Sequence, residues 1–112
     1  MRKDKAELLQ GTLDLLVLKT VETMGPLHGW AIAKRIEQIS QDLLEMKYGT
    51  LYPALMRLEQ SGWISSEWGT SDNNRRARFY SITRQGRKQL ALEAECWEHM
   101  KAFITCMLGT TR

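Results

Sequence analysis

Apolar residues near the start of the chain are spread too widely for a single helical stripe. They predict a helix from about Leu8 to Met24, in which leucine and valine side chains occupy several faces. Such a helix must be buried on more than one side. In a chain of 112 residues, this favours a second chain as one of the covers. Gly25 and Pro26 end the helix, because glycine supplies a left-handed cap and proline cannot continue the turn.

Two shorter helices are predicted after this break. The first runs from about His28 to Ile39, with isoleucines at helical spacing. The second begins between Lys47 and Thr50, carries leucines on its inward face and closes at Ser61-Gly62. Thr50 is a plausible N-cap, which would leave Pro53 in the first turn, where its missing N–H costs little. An earlier start would place Pro53 inside the helix, where it should bend the axis.

The pattern then changes to two strands and a long helix. Residues 63–68 and 76–83 are rich in the aromatic and branched side chains typical of strands, and turn-forming residues lie between them. Thr83 is predicted to cap the last helix, residues 84–108, which would be about 38 Å long. A helix of this length extends beyond the core of a small domain, so its distal half needs a partner.

The predicted fold is mainly α with a small β-hairpin. It combines a winged helix-turn-helix over residues 1–83 with a C-terminal dimerisation helix over residues 84–112, as one compact unit.

Positive charge is concentrated on the predicted third helix and hairpin. The whole chain has a net charge of +3, but residues 47–89 hold eight Lys and Arg against three Asp and Glu. A basic patch on this layout is typical of proteins that neutralise nucleic-acid phosphates, although a solvated basic face is the plainer alternative. No run of 18 apolar residues and no secretory leader is evident. We therefore expect no membrane span and a cytoplasmic location.

In a winged helix-turn-helix, one helix enters the major groove and the hairpin tip lies beside the backbone. Hydroxyl groups and cations near a helix start suit phosphate oxygens, and the amides and guanidinium groups of the tip suit the backbone or the minor groove. The alternatives are a packing role for the tyrosines and a solvated turn for the tip. The predicted DNA-binding residues are Lys47, Tyr48, Thr50, Tyr52, Arg57, Asn73, Asn74, Arg75, Arg76 and Arg78.

The last helix holds candidates for other chemistry. Cys96 and His99 share a face and could form half of a tetrahedral metal site, but no second Cys or His cluster follows. Trp97 either fills a core or, with its copy across a two-fold axis, forms a slot for planar ligands. Catalytic motifs are lacking, so no enzyme, resident metal or cofactor is expected. His28 is expected to anchor the second helix or to touch a phosphate.

Four segments follow one another from about Leu8 to Leu90: LLQGTLDLLVLKTV, GPLHGWAIAKRI, GTLYPALMRLEQSGWI and RRARFYSITRQGRKQL. Together, and in this order, they resemble the PadR family of bacterial transcriptional regulators. The third segment is the most specific of them. The single helix that follows is similar to the compact subgroup, which lacks a larger C-terminal effector domain.

The resemblance implies a homodimeric winged-helix protein, most often a repressor, that binds an inverted-repeat operator with its third helix and wing. It implies a dimer in which the last helix of one chain packs on the first helix of the other. Some compact members bind planar aromatic compounds between paired tryptophans, and Trp97 occupies a similar place; others sense phenolic acids. The competing functions are a winged-helix module that binds protein, and a metal-responsive regulator that uses Cys96 and His99.

Overall fold

The computed structural model describes residues 2–41 and 45–109. Residues 1 and 42–44 of the predicted segment 1–83, and residues 110–112 of the predicted segment 84–112, therefore lie outside the described residues. Within these ranges the chain forms four helices and a small three-stranded antiparallel sheet, which confirms the predicted mainly-α winged-helix class. The elements are α1 (Arg2–Met24), β1 (Leu27–His28), α2 (Gly29–Ile39), α3 (Tyr48–Gln60), β2 (Ile64–Thr70), β3 (Arg76–Ile82) and α4 (Arg84–Leu108).

The hydrophobic core lies between α1, α2, α3 and the sheet. The leucines of the predicted inward stripe of α3, Leu51, Leu55 and Leu58, are each 1% exposed or less. They pack in one cluster with buried residues of α1 and α2. Burying a side chain of this size contributes about 1.5–3 kcal/mol. The stripe therefore fixes which side of α3 faces the core and which side remains at the surface.

The start of α3 differs from the N-cap prediction. Lys47, and not Thr50, precedes the helix, and its side chain makes no capping hydrogen bond. Its carbonyl oxygen accepts the N–H groups of Thr50 and Leu51, each at 2.9 Å, so the first turn is already closed where Thr50 would have capped it. Pro53 consequently lies inside the helix. The prediction of α1 was also too short at its start, because its polar first residues are themselves good helix formers.

The hairpin prediction missed a third strand. Leu27 and His28 pair with Tyr80 and Phe79 of β3, and the strand order is β1-β3-β2. A strand of two residues has no periodicity of its own and exists only because β3 supplies its hydrogen-bond partners. The first hairpin strand also lies closer to the tip than predicted, since β2 begins at Ile64 and continues to Thr70.

The β2–β3 hairpin, residues 64–82, forms the wing, and Thr83 caps α4 directly after it, as predicted. The hydroxyl oxygen of Thr83 accepts a hydrogen bond from the N–H of Gly86 at 2.9 Å, and the same hydroxyl donates to the carbonyl of Gly62 at 2.6 Å. Near its start α4 buries Leu90. Farther along, large apolar side chains are exposed: Trp97, Met100, Phe103, Ile104, Met107 and Leu108. The distal half of α4 therefore presents an apolar face that the described part of the chain leaves uncovered.

Candidate nucleic-acid interface

His28 joins the start of α2 to the sheet. Its Nδ1 accepts the N–H of Ala31 at 3.2 Å, which caps α2, and its ring meets that of Phe79 edge-on, with the centroids 5.4 Å apart. A side-chain cap of this kind stabilises a helix start by about 1 kcal/mol. The prediction that His28 anchors α2 is confirmed.

The surface side of α3 carries two neighbouring tyrosines whose rings are tilted by 40° to each other. Tyr48 and Tyr52 are 44% and 45% exposed, and their ring centroids are 5.5 Å apart. Lys47 and Thr50 are also exposed, beside them at the helix start. The hydroxyl and amino groups predicted for phosphate contact therefore share the N-terminal end of α3, where unpaired N–H groups favour anions.

Two of the wing arginines lie against a tryptophan that the sequence analysis did not select. Trp68 is directly opposite Arg78 in the β2–β3 register and is 56% exposed. The guanidinium carbons of Arg76 and Arg78 lie 4.6 and 5.3 Å from the centre of its ring, at cation–π distance. The sequence analysis missed Trp68 because the strand register, which decides which residue of β2 faces each arginine, cannot be determined from the sequence alone.

The turn between the strands gives Asn74 a structural role. Its φ of 60° lies in the left-handed region, which asparagine tolerates better than most residues. Its N–H donates to the carbonyl of Ser71 at 2.9 Å, and the N–H of Ser71 donates to the carbonyl of Arg75 at 2.8 Å. The turn therefore holds the exposed side chains of Asn73, Asn74 and Arg75 at the tip of the wing.

A cleft of about 440 Å³ separates the wing from the helices. It brings together side chains from α2, α3 and both strands of the hairpin. Tyr52 lines it from α3, and Asn73, Arg75, Arg76 and Arg78 line it from the wing, with Trp30 and Trp68 contributing aromatic surface. Five of the ten predicted DNA-binding residues thus meet at one surface.

Arg57 lies outside this group. Its guanidinium donates a hydrogen bond to the carboxylate of Asp14 in α1 at 2.8 Å. The sequence analysis grouped Arg57 with the tyrosines as a DNA-binding residue, whereas in the structure its guanidinium pairs with a carboxylate of α1. Burial raises the pKa of the Asp14 carboxyl and the nearby Glu93 adds to the increase, while the Arg57 hydrogen bond and charge oppose it. Arg57 therefore links α3 to α1.

Sequence and structure comparisons place this fold in a known family. The family model described as the PadR-like family of transcriptional regulators matches residues 17–92, more than half of the chain. The chain belongs to the PadR-like family. The resemblance seen in the sequence is thereby confirmed, and the protein is a DNA-binding transcriptional regulator. Members of this family are regulators and not enzymes.

Solved relatives cover nearly the whole PadR-like chain. A transcriptional regulator from Clostridium thermocellum is 31% identical, with a TM-score of 0.82 over 92% of this chain and 99% of that one. A PadR family regulator from Eggerthella lenta is 27% identical, with a TM-score of 0.80 over 98% and 93%. A curated but uncharacterized protein from Lysinibacillus sphaericus is 24% identical over 100 residues, 89% of this chain and 91% of its own length.

A second groove of the PadR-like chain, about 490 Å³ in volume, runs between α1 and α4. Its apolar lining comes from Leu15 and Leu16 on α1 and from Leu90, Ala94 and Trp97 on α4. Charged side chains also line it: Lys19, Glu22, Arg87 and Glu98. Trp97 is 39% exposed, so an aromatic face remains available in the groove.

Metal binding and membrane insertion find no support in the described residues of the PadR-like chain. No three His, Cys, Asp or Glu side chains in residues 2–41 and 45–109 are grouped so that they could hold an ion. Cys96 and Cys106 are free thiols on the exposed surface of α4. Over the same residues, each helix is too short or too polar to cross a bilayer.

Proposed function

We propose that this PadR-like protein is a homodimeric repressor that binds an inverted-repeat operator and acts in the cytoplasm. The observation that carries the proposal is the shared cleft, in which Tyr52 of α3 lies across from three wing arginines. In this arrangement a duplex meets both elements at once. The remaining DNA-contacting residues in the proposal are Lys47, Tyr48 and Thr50 at the α3 start and Asn73 and Asn74 at the wing tip. Arg57, which pairs with Asp14 outside the cleft, stays a predicted DNA contact.

The dimer rests on the uncovered face of α4. Trp97, Met100, Phe103 and Met107 are all exposed on a single chain, and exposed apolar patches of this kind mark association sites. Residues 84–112 are accordingly the dimerisation segment, and residues 1–83 the DNA-binding segment. A two-fold axis would place two α3 helices in successive major grooves, about 34 Å apart.

A planar or phenolic effector completes the proposal. Trp97 and the groove between α1 and α4 supply an apolar, partly aromatic surface next to the dimerisation face. A ligand that binds one dimer geometry better than another shifts the population between them. Operator binding needs the two α3 helices at the spacing of successive major grooves. Such a shift would therefore change operator affinity.

Selection of binding sites from random duplex DNA, at stated salt concentrations, tests the operator directly. We expect an inverted repeat with half-sites about one helical turn apart, and a dimer mass in sedimentation at micromolar protein. An enriched site without two-fold symmetry, or a monomer at that concentration, would refute the dimeric mode of binding. A promoter with the selected site overlapping its start then tests repression, since added protein should lower its transcription.

A further inference from the structure

A chain of hydrogen bonds connects α3 to the wing. The hydroxyl of Ser66 in β2 donates to the Oε2 atom of Glu59 in α3 at 2.6 Å. The same hydroxyl oxygen accepts the Nε–H of Arg78 in β3 at 2.8 Å. Hydrogen bonds to charged groups are shorter and stronger than those between neutral groups. Three elements of the fold therefore meet at one serine side chain.

The order of this chain is set by the proton of Ser66. A hydroxyl has one proton and two lone pairs. Since its proton is directed to Glu59, a lone pair remains to accept from Arg78. The bond engages Nε, so the terminal amino groups of Arg78 stay outside it; one of them is 4.0 Å from Glu59 Oε2. The guanidinium also lies over the ring of Trp68, so Arg78 is held at two points.

We propose that Glu59 and Ser66 are positioning residues that hold Arg78 in the orientation with which it contacts DNA. The inference deepens the proposed function and rests on the wing contact that it contains. Arginine side chains have many rotamers in solution, and freezing them on binding reduces affinity. An arginine already held by Ser66 and Trp68 loses less freedom when a phosphate arrives.

Glu59 adds a second effect, because its charge opposes that of the wing. Its carboxylate lies beside an arginine that meets DNA, so it reduces the general attraction of this surface for phosphates. Such attraction dominates binding to unrelated sequences. Glu59 therefore orders the arginine and, at the same time, lowers affinity for random duplex DNA. Because every duplex carries phosphates, ordering the arginine strengthens binding to any DNA, and the preference for the operator comes from the charge effect.

A double-mutant cycle tests the positioning role. Ser66→Ala removes the hydroxyl that connects Glu59 to Arg78. We expect operator affinity to fall about three- to tenfold, as for the loss of one hydrogen bond. The same change in an Arg78→Ala background should have almost no effect. Ser65→Ala is the matched control, because Ser65 is the exposed neighbouring serine and pairs with Ser81. Equal losses from Ser66→Ala with and without Arg78 would overturn the proposal.

The charge effect has its own pair of variants. Glu59→Gln keeps an oxygen that can accept from Ser66 but loses the charge, and should lower the ratio of operator to random-duplex affinity about threefold. Glu67→Gln removes an equal charge from an exposed residue in the middle of β2, opposite Phe79 in the register, and should leave that ratio unchanged. Equal ratios for the two variants would remove Glu59 from the mechanism.

A measurement without DNA separates failure of this inference from failure of the proposed function. In nitrogen-15 NMR spectra of the free protein, the Arg78 Nε–H signal should exchange slowly with water in wild type and in Ser65→Ala, and rapidly in Ser66→Ala. Rapid exchange in the wild type would overturn the positioning of Arg78. Wild-type protein that shows slow exchange but binds no duplex would instead refute the proposed function.

Discussion

Gly86, in the first turn of α4, lies directly against the backbone carbonyl of Trp63. A Cβ atom at residue 86 would overlap that carbonyl oxygen. The same oxygen accepts the N–H of Thr83 at 3.0 Å. The start of α4 thus packs on the segment that leads into β2, and α4 leaves the winged domain in a direction set by this contact.

Replacing Gly86 with alanine should destabilise the protein, although alanine is the better helix former. The added methyl group would displace backbone, and overpacking of this kind costs about 1–3 kcal/mol. Chemical denaturation monitored by circular dichroism measures the change. Gly49→Ala is the matched control, since a Cβ there meets nothing within 4 Å and stability should be unchanged or slightly higher. A Gly86→Ala variant as stable as wild type would contradict the close seating of α4.

Loss of two wing arginines should weaken DNA binding and its dependence on salt. Each phosphate contact contributes about 0.9 to the slope of log affinity against log salt concentration. Arg76→Ala combined with Arg78→Ala should therefore lower operator affinity and reduce that slope by about two units. Fluorescence anisotropy over a salt series checks this. Lys101→Ala, an exposed cation on α4, should leave the slope unchanged. An unchanged slope in the double variant would exclude the wing from phosphate contact.

Truncation of Trp97 should weaken the binding of a planar dye. A stacked aromatic ring contributes both buried area and preferred geometry, so Trp97→Ala should lower dye affinity about tenfold or more. Because Trp97 also lies on the proposed dimer face, sedimentation is used to show that the variant is still a dimer at the titration concentration. Dye fluorescence titration gives the affinity, and Trp30→Ala, in the cleft near the wing, is the control. Dye binding that survives in Trp97→Ala would locate the pocket elsewhere.

A charge on the distal face of α4 should break the dimer. Phe103 is 61% exposed on the single chain; if it is buried between two copies, Phe103→Glu places an unpaired charge in an apolar interface. Sedimentation should then report monomer at concentrations where wild type is dimeric. Thr105→Glu adds the same charge about half a turn away and should retain the dimer. Dimerisation by Phe103→Glu to the wild-type extent would rule out this part of α4 as the interface.

Asp14 should make stability depend on pH in the acidic range. Burial raises the pKa of its carboxyl above the ordinary value of 3.8, so the folded protein holds this proton more tightly than the unfolded chain. The associated stability is present below 3.8 and is lost as pH rises through the folded pKa. Compared with Asp14→Asn, wild type should therefore lose stability as the pH rises from 3.8 through the raised pKa of the folded carboxyl. Denaturation at several pH values measures it, with Asp72→Asn at the wing turn as control. If wild type instead gains stability over Asp14→Asn as the pH rises, the ion pair with Arg57 outweighs the effect of burial on the Asp14 carboxyl.

Much of the fold follows from patterns that span only a few residues. The leucines of α3 recur at helical spacing, so their burial could be predicted from the sequence. Gly25 and Thr83 mark helix ends by local chemistry, since one adopts a φ of 80° and the other caps a turn with its hydroxyl. Local hydrogen bonds and side-chain periodicity act within one element, and the sequence displays them directly.

Local sequence patterns do not predict contacts between segments that are far apart in the chain. Asp14 draws Arg57 toward α1 across 43 positions of the chain, and the strand register places Trp68 beneath two arginines. β1 likewise exists only because β3 lies beside it. The order of the helices, the helix ends at Gly25 and Thr83 and the location of the basic wing were thus determined by the sequence itself, whereas the starts of α1 and α3 were not. The composition of the cleft and the partners of its arginines were decided by tertiary packing, because those contacts form only when separate elements share one core.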